Sequence, residues 1–132
     1  MSDPSLELQA ALVAALKGVS PHIAGSRIYD AVPANPVFPY VSLGDCQVLP
    51  DKADCIDGTE VYPVIDVWSR AVGYPEAKGI VKQILAVLDD QPISISGFSA
   101  IVFQFDRVDY LRDPDGLTRH ASIAFHGFIT PS

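Results

Sequence analysis

Cysteine is scarce. Cys46 and Cys55 are the only thiols in 132 residues, and no C-x-x-C pair frames a zinc site. The two flank a loop, which leaves a disulfide or two reduced thiols of the kind a reducing compartment maintains. Glutamate is absent after Glu76. That excludes a calcium loop of the EF-hand type in "RDPDGLTRH" (112–120), because such a loop needs acids at alternate positions and a distal Glu. The stretch "DKADCIDG" (51–58) fails the same test, since Asp51, Asp54 and Asp57 are three apart. A G-x-S-x-G elbow and a glycine-rich phosphate loop are both missing. Basic residues are few, nine Lys and Arg against sixteen Asp and Glu, for a net charge of −7. Clustered cations are what phosphates and anionic lipid headgroups attract, so neither a dedicated nucleic-acid binder nor a membrane-docking protein is expected. The apolar run near the start, "LVAAL" at 12–16, is far too short to cross a bilayer. The opening "MSDPSLELQ" has acids and no Lys or Arg, so no secretory signal is expected. No metal and no cofactor is expected either.

What is present suits a globular domain. Hydrophobic residues make up 48% and charged residues 19% of the chain, and a length of 132 residues predicts one domain, 1–132, with a core that needs no staple. Asp3 followed by Pro4 predicts a helix start. That helix runs to Gly18 with Leu8, Leu12, Ala15, Leu16 and Val19 in its apolar stripe. Short strand character follows at 27–32, and then the prolines at 33, 36 and 39 stiffen a connection. Residues 40–49 and 59–70 read as strands. Pro63 lies within the second, which predicts an edge position or a bulge. A second helix starts at Pro75 and runs to about residue 89, with Ala77, Ile80, Val81, Ile84, Leu85 and Leu88 facing inward. Residues 93–95 suggest a short strand, and 98–111 and 118–129 are the longest strand signals. The class predicted is α+β: a mostly antiparallel sheet, two helices on one side and a long C-terminal hairpin.

The stretch "RDPDGLTRH" gathers two arginines, two carboxylates and a histidine, yet it lies between two strands. "DPDG" is turn chemistry: Asp, then Pro, then a Gly in the left-handed position. Strand parity puts Ala121, Ile123, Phe125 and Ile129 on the core face and His120 and His126 on the other, roughly 20 Å apart, too far to share a metal. Asp66, among apolar neighbours in "VYPVIDVWSR", is expected to face solvent from an edge strand or to pair with Arg70 or Arg107. Between Phe105 and Val108 the apolar parity slips, which predicts a bulge at Asp106 and Arg107. Polar and charged groups beyond it, Asp109, Arg112, Arg119 and His120, suit a hairpin that contacts another subunit. A small ligand-binding or enzymatic α+β domain is the rival reading, and it would have to use Asp66, His22 or the 113–120 turn.

Four segments in order carry a resemblance over nearly the whole chain: "RIYDAVPANPVFPYVSLG" (27–44), "DVWSR" (66–70), "YPEAKGIVKQILAVL" (74–88) and "LRDPDGLTRHASIAF" (111–125). Together they resemble a family of tail-completion proteins of long-tailed bacteriophages, prophages and bacterial gene transfer agents, first catalogued as a domain of unknown function and similar to siphophage tail terminators. The resemblance implies a curved antiparallel sheet with helices packed on it. It implies a hexameric ring that caps the tail tube, ends its polymerisation and meets the head-side connector or stopper, with DNA passing through the lumen unread. It places the protein at the head-proximal end of a particle tail assembled in the bacterial cytoplasm. A head-completion or connector protein of the same particle is the alternative. The family offers no catalytic residues to transfer. Candidate contacts with copies or partners are Arg112, Asp113, Asp115, Arg119 and His120 of the hairpin, and Asp51, Asp54 and Asp57 of the polar loop. An acidic balance suits a channel through which DNA slides, because like charge prevents tight phosphate contacts.

Overall fold

A computed structural model describes residues 3–51 and 58–131. The described elements run α1 (Ser5–Lys17), β1 (Ile28–Tyr29), β2 (Tyr40–Asp51), β3 (Gly58–Ser69), α2 (Pro75–Leu88), β4 (Pro92–Ile93), β5 (Ile101–Val102), β6 (Gln104–Arg112) and β7 (Arg119–Ile129). The fold is α+β. Its main sheet has the order β1-β2-β3-β7-β6, with β1 parallel to β2 and every other pair antiparallel. β4 and β5 form a separate two-stranded ribbon.

Both helices form where their stripes dictate. Asp3 Oδ1 accepts the Ser5 backbone N–H at 2.9 Å, so the expected acid does serve the first turn, although the helix proper starts one residue later than proline at its first position would place it. Leu8, Leu12 and Leu16 of α1 are buried, as are Ala77, Ile80, Val81, Ile84 and Leu88 of α2. They meet Val41, Ile65, Val67, Ile123, Phe125 and Ile129 from one face of the sheet in a single core cluster. α2 lies across β3 and β7, and α1 sits beside it over β1. Strand alternation does the rest: in β3 every second residue is buried, and in β7 Ala121, Ile123, Phe125 and Ile129 are. The helices cover one face only, so the other face stays open.

Two irregularities sit where the sequence places them. β6 shifts register against β7 between Phe105 and Arg107, leaving Asp106 as the extra residue. β2 shifts against β3 between Leu43 and Cys46, opposite Pro63. Pro63 thus occupies a bulge, but in an interior strand rather than at an edge, because the bulge removes the demand for its missing N–H.

Other expectations need correction. The 27–32 strand shrinks to two residues, since β1 has only Val41 and Ser42 to pair with. The long 98–111 strand is broken. Phe98 bridges to Pro131, Ile101–Val102 pairs with β4, and Phe103 turns into the core. The cause is the end of α2: Asp90 donates its N–H to the Phe103 carbonyl at 2.8 Å, and Asp89 Oδ1 accepts from the Phe105 N–H at 2.9 Å. Gly18 ends α1 with φ −83, so it is not used as a left-handed cap. The tight turn that follows at Ile23–Ser26 has Ala24, Gly25 and Ser26 at positive φ and is not signalled by the apolar pattern.

Candidate functional site

The hairpin turn closes through its own backbone. Gly116 N–H donates to the Asp113 carbonyl at 3.0 Å and Asp113 N–H to the Thr118 carbonyl at 3.0 Å. Gly116 has φ +72, the left-handed position its sequence predicts. Asp115 holds the turn together. Its carboxylate accepts from the Leu117 and Thr118 N–H groups, both at 2.8 Å, and from the Thr118 hydroxyl at 2.7 Å. These donors stabilise the anion and hold its pKa at about 2, below the ordinary 3.8. Arg70 completes the cluster. Its Nε donates to Thr118 Oγ1 at 3.1 Å, its Nη2 lies 3.7 Å from Asp115, and its guanidinium stacks 4.3 Å from the Phe38 ring centre.

Next to the turn, the open sheet face carries a stacked network. His120 lies flat on Trp68, with ring centres 3.9 Å apart and 7° between planes. His120 Nε2 is hydrogen-bonded to Asp66 Oδ1 at 2.6 Å, while Trp68 Nε1 donates to Ser42 Oγ at 3.0 Å. Tyr40 stacks on Trp68 at 6.2 Å. Asp66 therefore pairs with His120, not with either arginine, and β3 is not an edge strand. Arg70 is held by Asp115, and Arg107 by Asp109 at 3.1 Å. At the other end of the same face His126 Nδ1 meets Asp106 at 2.6 Å. Phe38, Tyr40, Trp68, Arg70, Asp113 and Thr118 line a cleft of about 520 Å³ between the proline-rich connection and the hairpin.

The candidate residues do not converge. Arg112, Asp113, Asp115, Arg119 and His120 cluster at the hairpin end. Asp51 closes β2 at the opposite end, paired in register with Gly58, and β3 spans that distance, roughly 36 Å at about 3.3 Å per residue. Asp54 and Asp57 lie outside the described residues, as does Cys55; Cys46 is a free, exposed thiol. His22 is exposed and joins neither of the other histidines. Within the hairpin, Asp115 is committed to its own turn. Arg112 is exposed and sits opposite Arg119, a like-charge cross-strand pair. Arg119 Nη1 donates to the Leu117 carbonyl at 2.8 Å. Sequence reading missed Phe38, Tyr40, Trp68 and Arg70 as members of this surface. The available signal was the period-two alternation of 40–42 and 66–70, which places Tyr40, Ser42, Asp66 and Trp68 on one face.

A network of this kind orders a surface. Among the described residues no helix is long and apolar enough to cross a membrane.

Comparison with known proteins gives likenesses of three kinds. The family model for tail completion protein gp17 matches residues 10–130. Tail completion protein gp17 of Bacillus phage SPP1 is 27% identical over 86 residues, 65% of this chain; the match spans 63% of that relative's length. A chain from a structure described as the virion of a native gene transfer agent particle superposes with a TM-score of 0.88 at 25% identity, covering 98% of this chain and 99% of that one.

Proposed function

Because the chain belongs to the tail completion protein gp17 family, we propose that it is a structural tail protein of a phage or gene-transfer-agent particle and not an enzyme. Within that class it is a tail terminator, with residues 1–132 as one terminator domain. Copies close into a ring, six by the family resemblance. The ring seats on the last turn of the tail tube, stops further addition of tube protein, and presents its other side to the head connector or stopper. It assembles in the bacterial cytoplasm and stays at the head-proximal end of the tail.

The observation that carries this reading is the extent of the family match, which covers every helix and strand except the first turn of α1. The virion likeness supports it over the same length. The physics is compatible. A terminator needs rigid surfaces rather than a reactive centre, and here the polar groups of the hairpin and the open face are tied to one another. A net charge of −7 disfavours capture of the DNA that must pass through.

The test is to mix the purified protein with tail tube protein and follow it by native mass spectrometry and electron microscopy. Rings on tube ends, with tube growth arrested, are expected. Where the tube is the template, its binding stabilises the assembled form by mass action. A protein that stays monomeric and never joins tube ends would sink the terminator reading. Binding to the portal side instead would support a head-completion role.

A further inference from the structure

Both broad faces of the layered fold lack a cover among the described residues, and each exposes apolar side chains among its charges. On the open face of the sheet Trp68, Tyr62, Val64 and Ala124 are half-buried, while Leu111 and Phe128 stand 48% and 43% exposed. On the helix side, α1 is mostly apolar or small, with Glu7, Gln9 and Lys17 as its charged and amide side chains. Leu8, Leu12 and Leu16 point inward, and Leu6, Ala10 and Ala14 point outward, with Leu6 73% exposed. α2 adds Gly79 and Ala86 to the same outer face. A side chain at Gly79 would meet nothing within 4 Å. No contact within the chain therefore requires this glycine, although glycine in a helix interior weakens the helix.

The two faces also differ in charge. Asp45, Glu60, Asp66, Asp106 and Asp109 lie on the open sheet face, where the cations among the described residues are Arg107 and, at the hairpin end, Arg70, each held by a carboxylate. On the helix side Lys17, Lys78 and Lys82 are exposed, and the helices carry two carboxylates, Glu7 and Glu76.

We propose that the open sheet face of one copy is covered by the α1–α2 face of the next. The occupant is a second copy of this chain, and the argument rests on complementarity. A small-residue helix face with lysines lies against a sheet face with aromatics and carboxylates, repeating between copies the helix-on-sheet layering inside each. The size is adequate. Four long strands about 4.8 Å apart, each with about ten residues at about 3.3 Å, present on the order of 600 Å² in flat projection. A standard interface takes about 800 Å² per partner. The contact is heterologous, since it joins two different faces, so it generates a ring when the rotation closes. It rests on the ring reading above and names the interface that reading needs.

The test uses two variants and their mixture on tube ends. Lys78→Glu with Lys82→Glu reverses the helix face; Asp45→Lys with Asp109→Lys reverses the sheet face. Circular dichroism and thermal melting first establish that each is folded. Each variant alone is expected to lose ring formation by roughly tenfold or more, because like charges then face each other. An equimolar mixture is expected to regain rings, since the two alternate around them with every contact complementary. Wild-type protein that rings while both variants ring equally well overturns this inference and leaves the terminator reading standing. So does loss in both with no recovery on mixing. Sheet-face variants that ring normally but retain duplex DNA overturn it in favour of a channel-lining sheet. Wild-type protein that never rings removes the terminator reading and this interface together.

Discussion

Asp115 directs its carboxylate into its own turn. Three donors converge on it from Leu117 and Thr118, so the acid most conspicuous in the sequence is a structural clasp, not a free recognition group. Its pKa of about 2 lies below the ordinary 3.8. A depressed folded value means that the anion stabilises the fold at pH above the unfolded value. That contribution fades as pH falls from about 4 to about 2. Asp115→Asn should therefore melt below wild type at pH 6, and the difference should shrink toward zero by pH 2. Parallel melts across that range check it, and a difference independent of pH would show that the charge is not what holds the turn. Gly116, at φ +72 with open space around it, has a conformational role only. Gly116→Val should cost about 1 kcal/mol or more through the left-handed backbone alone. Gly116→Asn should cost less, because Asn tolerates that region. Denaturant titration of the two variants separates the conformational effect from any loss of contact.

At the scale of elements, local pattern was a good guide and distant pairing was not. Parity in 118–129 correctly assigned the buried face of β7, and the slip between Phe105 and Val108 correctly marked the bulge at Asp106, because both are properties of consecutive residues. The break at Phe103 was illegible. It is imposed by Asp89 and Asp90, 13 or more residues away, which take up the backbone of Phe103 and Phe105. The partner of Asp66 was illegible for the same reason, since His120 lies 54 residues on and only the β3–β7 register brings the two together. The turn at 113–118 was legible because turn residues act locally; the ring stack of Tyr40, Trp68 and His120 belongs to three strands and was not. The packing of β7 adds a prediction. A Cβ at Gly127 would stand 2.6 Å from Ile101 Cδ1 and 3.1 Å from Phe103 Cδ1. Both neighbours are buried side chains with little room to yield, so Gly127→Ala should destabilise by about 1–3 kcal/mol. Ile101→Val in the same chain should recover part of that loss, and a thermal-melt cycle over the four proteins measures the coupling.

At the scale of the whole molecule, the hairpin end presents Arg112 and Arg119 side by side on a chain that is otherwise acidic. Replacing both with Glu keeps a like-charge pair across the strands, so the intrachain balance at that site changes little. Arg119 gives up one hydrogen bond, to the Leu117 carbonyl. Arg112 is exposed and Arg119 half-buried with its Nε out of solvent and unpartnered, and charges at a surface contribute roughly 0–1 kcal/mol each, so Arg112→Glu with Arg119→Glu should remain folded with a melting temperature near wild type. What changes is the sign of the surface that the hairpin offers to anything docking there. If the hairpin contacts a neighbouring subunit, the tube or the connector, the folded variant should leave tail ends uncapped and tubes overlong. Electron microscopy of tails assembled with the variant measures both. Capped ends of normal length would remove the hairpin from every assembly contact. The proposed ring would then be held by other surfaces, and the two arginines would be left as charges beside a turn whose shape Asp115 and Gly116 already determine.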